Sequence, residues 1–161
     1  MNKPTLRLYT FINYYLSPIQ AGIQSAHLVH ELFNEYELTS STPRADGKSI
    51  IDWSADHKTI IVLNGGNHKS LMELFGILLE QDLPWVSFNE DDASLGGLMT
   101  GIGVVLPDYI YEAKSTNNSS RFQYEYTDLN SISVNSTGSH RYLPGSKIAQ
   151  LLTFMNNCRL F

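Results

Sequence analysis

The stretch that decides the fold is residues 16–30, which read LSPIQAGIQSAHLVH and follow the apolar run LRLYTFINYY. Ser17 and Pro18 are typical of the N-cap and the first position of a helix, and Gln20 stands where a capping box places Glu or Gln. The preceding segment Leu6–Ile12 is rich in aromatic and β-branched residues, so it predicts a strand. A strand that leads directly into a capped helix is typical of an α/β domain.

Residues 19–36 separate into two faces when they are projected on a helical wheel. The apolar face consists of Ile19, Gly22, Ile23, Ala26, Val29, Phe33 and Tyr36. The polar stripe consists of Gln20, Gln24, His27, Glu31 and Glu35. This pattern predicts that the apolar face packs on the sheet and that the polar stripe lies outside the core. His30 falls beside Ile19 and Ile23, which predicts a packed core histidine.

The following segments alternate between short apolar strands and amphipathic helices. The predicted strands are Thr59–Leu63, Trp85–Phe88 and Ile102–Leu106, and the second helix carries Leu71, Leu74, Phe75, Leu78 and Leu79 at helical spacing. A glycine-containing loop, Asn64–Asn67, leads into that helix. The alternation predicts an α/β fold with a mixed sheet of about four strands and helices on both faces.

The chain changes composition after about Tyr111. From Ser115 to Ser139, 14 of 25 residues are Ser, Thr or Asn, which favours loops and turns. Within this stretch the alternation of Phe122, Tyr124 and Tyr126 with polar residues predicts a strand, and Ser146 is expected to cap a last helix. That helix carries Ile148, Leu151, Leu152 and Met155 on one side. We therefore divide the chain into an α/β domain at 1–112 and a polar extension at 113–161, packed on the same domain or building a homo-oligomer contact.

Composition limits the class of protein. A chain of 161 residues with 42% apolar side chains suffices for one domain with a core. The net charge is −5 and the 11 Lys and Arg residues are scattered, which disfavours tRNA and other nucleic acids as partners. The single Cys158 fits a reducing compartment, and no apolar run approaches the about 20 residues of a membrane span. No signal peptide is visible. We therefore expect a cytoplasmic protein with no membrane partner.

Short motifs follow one another in a specific order along residues 5–110. They are QAGIQSAH at Gln20–His27, Trp53, KTIIVL at Lys58–Leu63, DLPWVS at Asp82–Ser87, the pair Asp92-Ala93, and the strand Thr100–Pro107. Together they resemble the peptidyl-tRNA hydrolases of the archaeal and eukaryotic type. The resemblance implies the type 2 fold of that family, and everything after about Tyr111 lies outside it.

The family hydrolyses the ester that joins a peptide to tRNA, with a lysine, an aspartate, a histidine and a threonine around the site. The resemblance therefore implies that His27, Asp92 and Thr100 are the catalytic residues, with Gln24 and Gln20 holding the ester. Gln20 stands at the position of the family's lysine. A neutral amide in place of the lysine removes a point charge for a phosphate or an oxyanion, and leaves a weaker hydrogen-bond donor.

Each candidate residue also has a purely structural interpretation. Gln20 can serve only as part of the capping box, and Gln24 as a solvated helix residue. Asp92 can belong to a solvated acidic turn, Glu90-Asp91-Asp92, although a carboxylate crowded by two others should have its pKa raised. Asn64, Gly65 and Gly66 precede a helix and could bind an anion through free N–H groups, or form a plain turn.

Other side chains suggest no further chemistry. His57 and His68 have no carboxylate or cysteine partner at metal-ligand spacing, so we expect neither a metal site nor a cofactor. Two functional interpretations remain. In the first, the fold is reused as a binding module for a nucleotide-like ligand or a protein partner, and a bacteriophage origin fits such a small domain. In the second, the chain is a diverged hydrolase that cleaves the ester of peptidyl-tRNA or a related substrate.

Overall fold

The computed structural model describes residues 3–42, 44–91, 93, 96–115, 125–126, 132–134 and 140–161. The helices are α1 (Pro18–Glu35), α2 (Lys48–Asp52), α3 (His68–Leu79), α4 (Asp108–Tyr111) and α5 (Lys147–Asn157). The strands are β1 (Leu6–Asn13), β2 (Ile60–Gly66), β3 (Trp85–Asn89), β4 (Met99–Pro107), β5 (Lys114–Ser115), β6 (Glu125–Tyr126), β7 (Ile132–Val134) and β8 (His140–Tyr142). Of the helices that the structure describes, none combines the length and the apolar composition that crossing a membrane requires.

The central sheet has four strands in the order β2-β1-β4-β3. β1 and β2 are parallel, with Leu8 opposite Ile60, whereas β4 runs antiparallel to both β1 and β3. The prediction of an α/β fold with a mixed four-stranded sheet is therefore confirmed. β2 continues to Gly66, so the predicted loop at Asn64–Asn67 is wrong for its first three residues: they extend the strand, and Asn67 caps α3.

Helices cover both faces of this sheet, and the alternation of side chains along β1 shows how. Leu8 and Ile12 point towards the core that α1 and α2 close, while Tyr9 and Phe11 point towards the core that α3 and α5 close. The predicted caps are present, because Ser17 caps α1 and Ser146 caps α5. Polar caps of this kind satisfy N–H groups that have no partner within a helix.

The face of α1 that packs on the sheet differs from the predicted one. The buried residues of this helix are Ala21, Gln24, Ser25, Leu28 and Leu32. Ile19 and Ile23 are 78% and 51% exposed, and His30 is exposed and hydrogen-bonds Asn34, so the predicted core histidine is wrong. The reason lies in the sheet, whose buried hydroxyls on this face need polar partners from the helix.

α1 also lies very close to β4, and two glycines permit this approach. A Cβ added at Gly101 would lie 3.0 Å from Leu28 Cδ1, and one added at Gly103 would lie 3.4 Å from Leu28 Cβ. Leu28 therefore occupies space that a side chain at Gly101 would need, and it would lie at ordinary contact distance from a Cβ at Gly103. The glycines set the distance between α1 and the sheet, and that distance positions the side chains described below.

The C-terminal part of the chain adds a second sheet and covers one edge of the first. The second sheet has the order β5-β8-β7-β6, and β6 falls in the predicted aromatic strand, whose Phe122 and Tyr124 lie outside the described residues. α5 buries Ile148, Leu151 and Leu152 in the core beside α3. Residues 159–161 then follow the edge strand β2, where Asn64 N–H donates to Arg159 O (2.8 Å) and Phe161 N–H donates to Val62 O (3.0 Å).

Candidate functional site

The beginning of α1 carries the first predicted site residue, Gln20. Its Oε1 accepts a hydrogen bond from Ser17 N–H (2.9 Å), and its own N–H donates to Ser17 Oγ (3.3 Å). These two bonds form the predicted capping box, which is therefore confirmed. Within the part of the chain that the structure describes, no hydrogen bond joins the exposed amide of Gln20 to Gln24, His27 or Thr100.

Gln24, one turn later, is buried between α1 and the sheet with 5% of its surface exposed. Its Oε1 accepts from Thr100 Oγ1 (3.0 Å), and its Nε2 donates to Glu90 Oε1 (2.5 Å). Thr100 Oγ1 also lies 3.4 Å from Phe88 O. The interpretation of Gln24 as a solvated helix residue is therefore wrong, because this amide joins the helix to β4 and to the residue that follows β3.

His27 is exposed on the turn that follows Gln24, and its ring is stacked on Phe88. The two ring centroids are 4.6 Å apart and the planes differ by 11°. One face of the imidazole is covered by the phenyl ring, and the exposed side chain remains open to solvent. We call the five residues His27, Gln24, Phe88, Glu90 and Thr100 the His27 cluster.

Glu90 is the carboxylate of this cluster, and sequence reasoning assigned it only to a solvated turn. Its side chain is half-buried, and its backbone N–H donates to Leu98 O (3.1 Å). Asp92, the acidic residue that was predicted to be catalytic, lies outside the described residues. The available signal for Glu90 was its position directly after β3, at the end of a strand that neighbours β4.

Further buried polar groups fix α1 on the sheet beneath the cluster. Thr10 Oγ1 and Ser25 Oγ are 3.0 Å apart, and Ser25 Oγ also lies 2.9 Å from Ala21 O. Asn13 Nδ2 donates to Met99 O (3.2 Å) and so joins the end of β1 to the start of β4. Satisfied polar networks of this kind make the position of a helix specific, because any shift would leave buried groups unpaired.

Asn64, Gly65 and Gly66, the other predicted ligand-binding residues, lie in a separate pocket of about 440 Å³. Asn64 Oδ1 accepts from Gly66 N–H (3.0 Å), and Gly66 has a φ of 80°. The pocket is also lined by Ser70, Phe154, Asn157, Cys158 and Arg159. None of these residues belongs to the His27 cluster, so the structure divides the predicted site into two places.

Cys158, in that pocket, is a poor nucleophile at neutral pH. Burial raises the pKa of its thiol to about 11, and its Sγ lies 3.4 Å from Phe154 O. A thiol with such a pKa remains protonated between pH 7 and 9, whereas the thiolate is the reactive form.

The His27 cluster therefore contains an exposed imidazole, a carboxylate that is hydrogen-bonded by Gln24, and an amide and a hydroxyl that hydrogen-bond each other. Among the residues that the structure describes, no group of three His, Cys, Asp or Glu side chains could hold a metal ion. Comparison with models of known protein families and with curated proteins finds no match to this chain.

Proposed function

We propose that the chain is a binding module and that the His27 cluster binds a nucleotide-like ligand through its base. The observation that carries this proposal is the exposed His27 ring, which Phe88 holds in place from beneath. Stacking of a base on an aromatic side chain contributes about 1–3 kcal/mol. A platform whose orientation is already fixed loses little conformational entropy when the base stacks on it.

The hydrogen-bonding groups beside this platform favour a base with an exocyclic amino group. A carboxylate has about four lone-pair sites, and Gln24 uses one of those on Glu90. Glu90 can therefore accept from an amino group such as those of adenine or cytosine. The same carboxylate would repel a phosphate placed beside it.

The surroundings disfavour recognition through phosphate. Gln20, at the position where the resembled family has its lysine, is neutral and engaged in the capping box. The chain as a whole has a net charge of −5. Binding through the base should therefore depend only weakly on salt, because few counterions are released from a ligand whose phosphate makes no contact.

Titration with adenosine and with adenosine monophosphate, followed through backbone amide NMR shifts, tests this proposal. We expect both compounds to shift the amides around His27 and Phe88, with affinities within about twofold of each other because the phosphate is not bound. His27→Ala should weaken binding of both by about 5- to 150-fold, the equivalent of losing the stacking energy.

His30→Ala is the matched control, because His30 is exposed on the same helix and its hydrogen bond within the described residues is the local one to Asn34. It should bind adenosine as the parent protein does. Equal affinity of the parent protein and of His27→Ala would contradict the proposal, as would a monophosphate that binds far more tightly than the nucleoside at low salt.

A diverged hydrolase is the second candidate, because His27, Gln24 and Thr100, which the resemblance singles out, meet in one cluster with a carboxylate. Against it, the Thr100 proton is directed to Gln24 and a neutral amide stands where the family has a cation. We expect no ester cleavage of peptidyl-tRNA by the purified protein above the uncatalysed background. Cleavage that disappears in His27→Ala and persists in His30→Ala would instead establish the hydrolase.

A protein partner is the remaining candidate, favoured by the outward side of α1. There Ile19 and Ile23, one turn apart, are 78% and 51% exposed, and Tyr15, which precedes the helix, is 76% exposed. Apolar side chains grouped in this way are typical of contact surfaces when the group is large. Failure of nucleoside binding, together with a sedimentation profile that contains dimers, would favour this candidate over the first.

A further inference from the structure

A cleft of about 420 Å³ lies at the end of the sheet opposite the His27 cluster. Leu6, at the beginning of β1, pairs there with Pro107 at the end of β4, whereas Thr100 stands near the start of β4. The cleft is bordered by α2 on one side and by residues 82–84 on the other. We call it the α2 cleft. Its volume is within the range of small-molecule sites in proteins, about 300–1,000 Å³.

The floor of the α2 cleft is apolar. It is formed by Leu6, Leu83, Pro84, Val105 and Pro107, of which Leu6, Val105 and Pro107 are buried. Tyr36 and Tyr109 add aromatic walls, and the Tyr36 hydroxyl accepts from Trp85 N–H (3.1 Å), which fixes its ring. Such a surface gains free energy by covering an apolar ligand body.

Most charged groups on the rim are already paired within the protein. Asp52 is held by Lys3 Nζ (3.2 Å) and by Lys48 Nζ (3.1 Å), and the hydrogen bond from Lys48 is the main reason why its pKa is lowered. Asp46 is held by Arg44 Nη2 (2.6 Å). A ligand charge that approached these groups would have to compete with an existing ion pair.

Asp82 differs from the other rim carboxylates. Within the described part of the chain its carboxylate has neither a hydrogen bond nor an ion pair, and it stands directly before the apolar Leu83 and Pro84 of the floor. We infer that the α2 cleft binds a small organic cation, a primary amine on an apolar body, with the body on the floor and the ammonium group at Asp82. This inference is independent of the function proposed for the His27 cluster.

An anion of the same size is the less favourable ligand. The two lysines of the rim share Asp52, and Lys3 also donates to Asp56 (2.7 Å), so neither ammonium group is free. An anion would have to displace one of these bonds and would also meet the unpaired charge of Asp82. The charge of the ligand is therefore the property that distinguishes the inferred ligand class.

The test uses 2-phenylethylamine, with 2-phenylethanol and 3-phenylpropionate as neutral and anionic analogues, and follows backbone amide NMR shifts of the full chain. We expect the amine to shift the amides of Ser49, Leu83 and Val105 and to saturate at millimolar concentration. The alcohol should bind about threefold to fivefold more weakly, the loss expected for one partly exposed ion pair, and the acid more weakly still.

Asp82→Asn should reduce the affinity for the amine to that for the alcohol. Glu80→Gln is the matched control, because Glu80 is an exposed carboxylate outside the cleft and its loss should leave amine binding unchanged. Three results would each overturn the inference: no saturable shifts with the amine, equal binding of the acid, or an Asp82→Asn protein that binds the amine as the parent does. None of these results bears on nucleoside binding at His27.

Discussion

At the scale of single residues, the bond between Thr100 and Gln24 is the contact on which the His27 cluster depends. Thr100 is 1% exposed, and its hydroxyl donates to Gln24, which is 5% exposed. A buried amide oxygen without a donor costs about 1–3 kcal/mol. Loss of the Thr100 hydroxyl would therefore leave Gln24 Oε1 without this donor.

Thr100→Val tests this dependence, because valine has nearly the same shape as threonine but lacks the donor. We expect the free energy of unfolding to fall by about 1–3 kcal/mol. Urea denaturation monitored by circular dichroism measures the change. Thr153→Val on the exposed side of α5 is the control and should change stability by less than about 0.5 kcal/mol. A similar, small loss in both variants would show that the buried bond contributes little.

The sequence predicted those residues whose partners are near in the chain. Ser17 and Gln20 bond to each other across three residues, and a capping box is recognisable from that spacing alone. The partners of Gln24, by contrast, are 66 and 76 residues away. Without the sheet, a glutamine on a polar stripe is indistinguishable from one that faces solvent.

At the scale of secondary-structure elements, α1 shows why helical periodicity can select the wrong face. Both sides of the helix carry aliphatic residues at helical spacing, with Ile19 and Ile23 on one side and Leu28 and Leu32 on the other. The second side is buried because Thr10 of β1 bonds Ser25, and because the glycines of β4 accommodate Leu28. The strands were easier to predict, since a short apolar run between two turns has few alternative secondary structures.

Ile23→Ala and Leu28→Ala form a matched pair that distinguishes the two faces. Leu28 is fully buried, so its truncation should cost about 2–5 kcal/mol of folding free energy, which includes the cavity that it leaves. Ile23 is largely exposed, and its truncation should change stability by less than about 0.5 kcal/mol. Thermal and urea denaturation measure both values. The opposite order of effects would mean that the face predicted by the helical wheel is the one that packs.

At the scale of the whole molecule, the α/β class followed from the alternation of strands and helices, whereas the distribution of sites did not. The sequence gives the order along the chain of the elements that carry Asn64 and His27, but not their positions in space. In the sheet, two strands separate β2 from β3. The α2 cleft likewise combines residues that are far apart in the chain, from Lys3 to Tyr109. A site formed by segments that are distant in the chain can be predicted only when the order of the strands in the sheet is known, and hydrophobic periodicity does not give that order.

The C-terminal residues 159–161 affect how the whole molecule can associate, because they cover the edge of β2. An uncovered edge strand presents free N–H and C=O groups to which another chain can pair. Deletion of residues 159–161 should therefore increase self-association, which sedimentation velocity at several concentrations measures. Leu160→Lys keeps the backbone bonds and changes a side chain that is largely exposed. This variant should therefore self-associate no more than the parent protein. A truncated protein with unchanged sedimentation would show that this edge needs no cover.

The close approach of Gly101 to Leu28 has a consequence for how this sequence can vary. A Cβ at position 101 would lie 3.0 Å from Leu28 Cδ1 and 3.1 Å from Ile12 Cδ1, so a methyl group added there requires these two side-chain ends to shift by a few tenths of an ångström. Substitutions at two such positions are not additive, and a change that is harmful alone can be tolerated in the company of the other. We therefore expect Gly101→Ala to be tolerated better when the residue at position 28 or 12 is smaller, provided that Gln24 keeps its bond to Thr100.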